Sequence, residues 1–248
     1  MMSTLLEIAN TCKLSETTVL RFLNKIGYQS FQVFKINLTQ FISRDSPKVV
    51  YEDVSFDDTT ESIMNKLVNS TVNSIKDSLF VIKPEAIDYF IEKIVNATKV
   101  VVIGMGASAS VATDLYHKLL KLGINSVVSN DPHLVNILST NLTPDDFLIV
   151  FSHSGESREV LDSVSLAKEN KCPIGAITSY PKSTLAMKSD CVVCSSSLET
   201  KFRSDALTSR VIQLVVVDFI YVTMTIKFRD TTFEKIHKSR VAVAKNKT

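Results

Sequence analysis

From residue 99 onward the chain alternates short aliphatic runs with stretches of helical period, and that alternation leaves few folds open. KVVVIG, INSVVS, DFLIVFS, PIGAITS and DCVVCS read as strands. The first is a continuous β-branched run, the pattern of a parallel strand buried on both faces. Helix-period segments cover about 108–122, 132–140 and 157–170, and a long one over about 201–228 follows the last strand. The order predicts a five-stranded parallel sheet in an α/β/α sandwich, with ligands beyond the carboxyl ends of its strands.

Upstream the pattern is helical. Leu5, Ile8 and Ala9 form one apolar stripe, and Val19, Phe22, Leu23 and Ile26 form another. NTCKLS is a tight connection between them, Ser15 is placed to cap the second helix, and Gly27 to close it. A third helix is expected from about Phe31 to Phe41. Residues 44–58 carry Pro47 and several acids without a helical stripe and read as a linker. An amphipathic helix over 59–82 (Ile63, Leu67, Val68, Val72, Ile75, Leu79) precedes another that starts at Pro84 and runs to about Ala97. The expected organisation is a helical domain over 1–43, a linker over 44–58, and an α/β domain with flanking helices over 59–248.

Charge is uneven rather than large. The net value is +2, but residues 1–44 hold five Lys/Arg against Glu7 and Glu16, a local +3. Residues 227–248 hold seven against Asp230 and Glu234, a local +5. Basic ends on a near-neutral middle permit nucleic-acid contact, and the C-terminal cluster reads equally as solvated surface and a frayed tail. Of Cys12, Cys172, Cys191 and Cys194, only the last two have metal-like spacing. On a strand that spacing sends the two side chains to opposite faces, which favours apolar thiols over a metal or redox site. No metal or cofactor is expected. VIQLVVVDFIYVTM, the most apolar stretch, is broken by Asp218 and is too short to span a bilayer. With no signal-peptide pattern at the N-terminus, a cytoplasmic protein without membrane association is expected.

Two motifs sit at strand ends. GMGASAS (104–110) lets the backbone turn tightly before a helix whose free N–H groups and dipole suit an anion, with Ser108 and Ser110 in reach. It lacks the third glycine and the well-placed acid of a dinucleotide site. SHSGES (152–157) has no Gly-x-Ser-x-Gly elbow, and His153, lying between Ser152 and Ser154, points away from both on an extended backbone. A nucleophile is therefore disfavoured. Ser152, Ser154 and Ser157 instead offer three hydroxyls around a loop that Gly155 allows to curl, at the start of a helix. Right-handed crossovers open both loops on one edge of the sheet, so one phosphate can meet both.

The blocks VVVIGMGASAS, NLTPDDFLIVFSHSGESREVL and AITSYPKSTLAMKSD resemble the sugar isomerase (SIS) domain, an α/β phosphosugar-binding module. The resemblance implies a phosphosugar held by Ser108, Ser152, Ser154, Ser157 and the backbone of His153, with Glu199 touching the sugar. LLEIANTCKLSETTVLRFLNKIGYQSFQVFKINL is similar to the helix-turn-helix of RpiR-type transcriptional regulators, which join that motif to an SIS domain. The final block ETKFRSDALTSRVIQLVVVDFIYV matches as well. In this family further helices precede the helix-turn-helix, so the start at MMSTLLE implies an incomplete DNA-binding domain.

Within the helix-turn-helix, Thr17, Thr18 and Arg21 fall off the apolar stripe toward DNA, and Ser15 and Lys25 are placed for phosphates. The leading expectation is a non-enzymatic transcriptional regulator of carbohydrate metabolism. It would bind operator DNA and a phosphorylated sugar as a homodimer or homotetramer. The alternatives are a phosphosugar isomerase, with Glu199, His117 or His133 as base, and an SIS protein acting only through protein partners.

Overall fold

The computed structural model describes residues 5–28, 30–31, 34, 49–51, 54–195 and 205–244. Two compact units divide the chain, residues 1–69 with 200–204, and residues 70–199 with 205–248.

In the first unit, α1 (Leu5–Cys12) ends in a turn where Lys13 takes φ 55 and the Leu14 N–H donates to the Ala9 carbonyl at 2.9 Å. Ser15 caps α2 (Glu16–Lys25), accepting from the Thr18 N–H at 3.2 Å. Ala9, Val19 and Leu23 are buried, with Leu5, Ile8, Tyr28, Phe31 and Phe34 packed against them. The inner stripe of α2 is narrower than its sequence pattern implies. Phe22, at the edge of the stripe, is 59% exposed, and Ile26, past the last helical residue, is 46% exposed. The expected third helix falls mostly outside the described residues, as do residues 44–48. Within the expected linker, β1 (Val49–Tyr51) pairs antiparallel with β2 (Val54–Ser55). The Asp58 carboxylate accepts from Lys66 Nζ at 2.7 and 2.8 Å, from the Ser55 N–H and from the Ser62 hydroxyl. The Lys66 hydrogen bond, reinforced by the other two, holds the Asp58 carboxyl down at about 2.

Helix α3 (Thr60–Val81) is less amphipathic than expected: Val68, Val72 and Leu79 are exposed. Its fully buried positions are Ser74 and Ser78, whose hydroxyls donate to the carbonyls of Ser70 and Ile75. Small residues that satisfy their own polar atoms on the helix can be buried without a hydrophobic side chain.

In the second unit, α4 (Pro84–Asn96) leads into β3 (Val100–Gly104), α5 (Ser108–Lys121), β4 (Ser126–Ser129), α6 (Pro132–Thr140) and β5 (Phe147–Phe151). Then come α7 (Arg158–Glu169), β6 (Ile174–Thr178), the short α8 (Thr184–Lys188) and β7 (Cys191–Cys194). Two helices end the described chain, α9 (Asp205–Lys227) and α10 (Arg229–Ala244). The five strands are all parallel, in the order β4-β3-β5-β6-β7. The strand order reverses between β3 and β5, which makes their carboxyl ends the switch point where such sheets open a crevice.

Strand alternation divides the core. Val100, Val102, Phe147 and Ile149 face α4, α5 and α9 through Phe90, Ile94, Leu115, Leu119, Val217 and Ile220. Val101, Ile103, Leu148 and Val150 face α6, α7 and α8 through Val135, Val160, Val164 and Leu185. All of these are essentially inaccessible, and each large aliphatic or aromatic side chain so buried contributes about 1.5–3 kcal/mol.

Part of α9, Ser209–Lys227, is long and apolar enough to cross a membrane by length and composition. Here it is a core helix: Val216, Val217, Ile220 and Met224 are buried. Asp218, which interrupts its apolar run, pairs with Lys118 of α5 at 2.7 Å. Burial disfavours the Lys118 charge, but hydrogen bonds to Asp114 and Asp218 outweigh it and raise its pKa. The basic C-terminal stretch, whose sequence leaves nucleic-acid contact and a solvated, frayed surface both open, is helical over Arg229–Ala244.

Candidate functional site

The register Gly104↔Phe151 sets the loops after β3 and β5 side by side at the switch point. The first loop needs glycine at its start, because a Cβ on Gly104 would lie 2.6 Å from the Ser108 carbonyl oxygen. That close approach brings α5 directly off the strand, with Ser108 buried at its first position. Ser110 is exposed and donates to the Ala107 carbonyl at 2.9 Å, so its hydroxyl serves the helix rather than the crevice.

The second loop is held from several sides. The Ser152 Oγ accepts from the Gly155 N–H at 3.1 Å, and the Ser154 Oγ from the Glu156 N–H at 3.2 Å. Each hydroxyl keeps its own proton to donate, and neither gives it to a group among the described residues. Gly155 takes φ +65, and a Cβ there would come 2.2 Å from Ser183 Oγ. No other residue satisfies both the left-handed backbone and that contact. The Gly155 carbonyl accepts from the Leu185 N–H at 3.0 Å, and Glu156 Oε1 accepts from the Thr184 N–H at 2.8 Å, which fastens the loop to α8.

The His153 ring turns away from this curl and reaches the neighbouring strand end. Its Nδ1 lies 2.8 Å from Ser179 Oγ, which is 3.3 Å from Ser195 Oγ, and its ring meets Tyr180 edge-on at 5.4 Å. The His153 carbonyl is taken up by Thr178 Oγ1 and the Ser179 N–H, both at 3.1 Å. The only backbone group of His153 that can donate to an anion is its N–H. The tie of His153 to Ser179 and Ser195, twenty-six and more residues away, is invisible in the sequence because it depends on how β5, β6 and β7 line up.

Helix starts separate the switch point from the rest of the sheet. Of the four helices that follow β3, β4, β5 and β6, α6 is capped by Asp131 (2.9 Å from the Leu134 N–H) and α8 by Ser183. The two at the switch point, α5 and α7, have no side-chain cap. The Ser157 hydroxyl, in the cap position of α7, does not bond its own helix, although the Ser157 carbonyl accepts the Leu161 N–H at 3.0 Å. Simple capping therefore explains neither Ser108 nor Ser157. Two uncapped helix starts and their positive dipole ends lie beside the loops that carry Ser108, Ser152, Ser154 and Ser157, an arrangement suited to a multiply charged oxyanion.

Glu199 lies outside the described residues. Of the other two bases considered for an isomerase, His117 is exposed near the far end of α5, about 14 Å along the helix from Ser108, and His133 is exposed at the start of α6 beyond edge strand β4. Cys191 and Cys194 do face opposite ways: one Sγ approaches the Ala86 carbonyl of α4, the other the Ser179 carbonyl. In the first unit, Thr17, Thr18, Arg21 and Lys25 are all exposed on α2. The Ser15 hydroxyl is engaged with Thr18, through both its N–H and its Oγ1.

Residues 93–223 match the SIS domain family, which defines the class of the α/β unit. An HTH-type transcriptional regulator of Thermotoga maritima is 41% identical over 233 residues, 94% of this chain and 83% of its own length. The HTH-type transcriptional regulator RpiR of Escherichia coli K12 is 25% identical over 218 residues, 88% of this chain and 73% of its own. The NanR protein of Vibrio vulnificus, solved in complex with ManNAc-6P, shares the fold, with a TM-score of 0.84 at 22% identity over 98% of this chain and 86% of that one. The chain belongs to the RpiR-type family of transcriptional regulators, which carry a helix-turn-helix and an SIS domain.

Proposed function

We propose that this regulator controls carbohydrate metabolism by binding operator DNA through α2 and a phosphorylated sugar through the crevice between β3 and β5. The observation that carries the reading is the pair of uncapped helix starts, α5 and α7, beside the free hydroxyl protons of Ser152 and Ser154. The phosphate takes Ser108, Ser152, Ser154, Ser157 and the His153 N–H, and Glu199 contacts the sugar. The relative solved with ManNAc-6P supports a phosphosugar in this class of domain. Thr17, Thr18 and Arg21 read base edges while Ser15 and Lys25 meet phosphates. The working form is a cytoplasmic homodimer or homotetramer that places two recognition helices on a near-palindromic site. It acts without catalysing a reaction, as the regulator names of its relatives support.

The test is a thermal-shift panel of sugar phosphates. At least one raises the melting temperature of the wild type, by linkage, and the Ser152→Ala, Ser154→Ala double variant loses the shift. A panel in which none shifts the melting temperature overturns the effector assignment.

A further inference from the structure

At the opposite edge of the same sheet, where β6 begins, a cleft of about 440 Å³ is lined by Tyr89, Lys93, Lys168, Lys171, Lys188 and Asp190. Four ammonium groups against one carboxylate leave it a net +3. Elsewhere Lys66 pairs with Asp58, Lys99 with Asp146, Lys118 with Asp114 and Asp218, Lys227 with Asp88 and Lys238 with Glu234, while Lys76 and Lys121 have no carboxylate partner among the described residues. Among the described residues no lysine of the cleft has a carboxylate partner. Lys168 Nζ donates to the Lys188 carbonyl at 3.2 Å, Lys188 Nζ to Ser165 Oγ at 2.8 Å, and Lys93 lies 5.4 Å from the Tyr89 ring centre. The single acid is committed to the sheet, since Asp190 Oδ2 accepts the Ile174 N–H at 2.7 Å. Burial pushes the Cys172 thiol up to about 12, so it adds no negative charge.

Like charges gathered round a concave surface repel one another and concentrate the field there, and an anion relieves both effects. Ammonium groups are compact, non-directional charges, which suits several phosphoryl groups in a row better than one oriented phosphate. We propose that this cleft is a second anion site, which takes a compact polyphosphate such as the triphosphate tail of a nucleotide. With Lys93 over the ring of Tyr89, the phosphates rather than a stacked base provide the recognition. The five residues of β6 put the cleft about 16 Å from the serine crevice, so both sites can be filled at once. The regulator would then have two separate ligand inputs.

The three helices that bring Lys93, Lys168 and Lys188 also end near this edge, and lysines favour helix C-termini without any ligand. Calorimetric titration of the full chain with inorganic tripolyphosphate at physiological salt separates the two. The site predicts a saturable one-site isotherm, with orthophosphate at least about tenfold weaker. Lys171→Glu and Lys188→Glu each weaken tripolyphosphate by about tenfold, while Lys76→Glu, on the exposed surface of α3, changes it less than about twofold. The Ser152→Ala, Ser154→Ala variant binds tripolyphosphate as the wild type does, which keeps this test separate from that of the crevice. The proposal fails if there is no saturable binding, if Lys76→Glu weakens it equally, or if a random-sequence DNA duplex competes for the same lysines.

Discussion

The two ends of the parallel sheet are both suited to anions, by opposite chemistry. The carboxyl end offers neutral, directional donors: serine hydroxyls, backbone N–H groups and the starts of α5 and α7. The amino end offers four ammonium groups, two of which, Lys168 and Lys188, also hydrogen-bond to the protein. Neutral donors held by the backbone can select one oxyanion geometry, whereas ammonium groups on flexible stems select mainly charge. The contrast suits a signal molecule that must be told from its stereoisomers at one end and a more generic charged metabolite at the other.

The largest predicted effect falls on one end alone. Charge-assisted hydrogen bonds contribute about 1.5–3 kcal/mol each, so removing both Ser152 and Ser154 hydroxyls should weaken the effector sugar phosphate by at least about a hundredfold in calorimetry. Gly155→Ala comes next. Its left-handed φ and the contact with Ser183 should cost about 1–3 kcal/mol of stability, read as a lower urea midpoint, together with loss of sugar-phosphate binding.

The His153 tie is subtler. His153→Leu and Ser179→Ala should each weaken the sugar phosphate by about tenfold, while His153→Asn, which keeps a polar atom near the Nδ1 position, should restore most of the affinity. Equal losses for Leu and Asn would mean that the ring only fills space against Tyr180. Salt should then split the two ends. Tripolyphosphate binding should fall steeply between low and physiological salt, and sugar-phosphate binding much less, because only the first rests mainly on exposed charges.

A pH dependence is expected from the amino end as well, read only in alkaline solution. Burial raises the Cys172 thiol from 9.0 to about 12, so the unfolded chain ionises first. Stability should therefore fall as pH rises from 9.0 toward about 12, and Cys172→Ala should flatten that slope in thermal melts.

The central sheet was legible because Val100–Ile103 and Phe147–Phe151 are apolar at every position, a pattern that demands cover on both faces. The serine crevice was legible because its hydroxyls lie close together in the chain, at a strand end followed by a helix. What escaped depends on contacts across the sheet or on weak local pattern. The ties from His153 to Ser179 and from Gly155 to Ser183 join β5 to β6, and nothing in either segment announces the other. Helix α10 shows no apolar stripe to mark it, and the lysines of the amino-end cleft come from three separate stretches. Phe22 and Val68 were misplaced because helical period marks an apolar face without showing how much of it is covered.

The most direct measurement is the affinity for promoter DNA beside the protein's own gene, by fluorescence anisotropy, with and without each sugar phosphate. One sugar phosphate should change the DNA affinity of the wild type by at least about fivefold and leave the Ser152→Ala, Ser154→Ala variant unaffected. DNA binding that no sugar phosphate alters, or that changes equally in the variant, would contradict a regulator that reads its effector through the serine crevice.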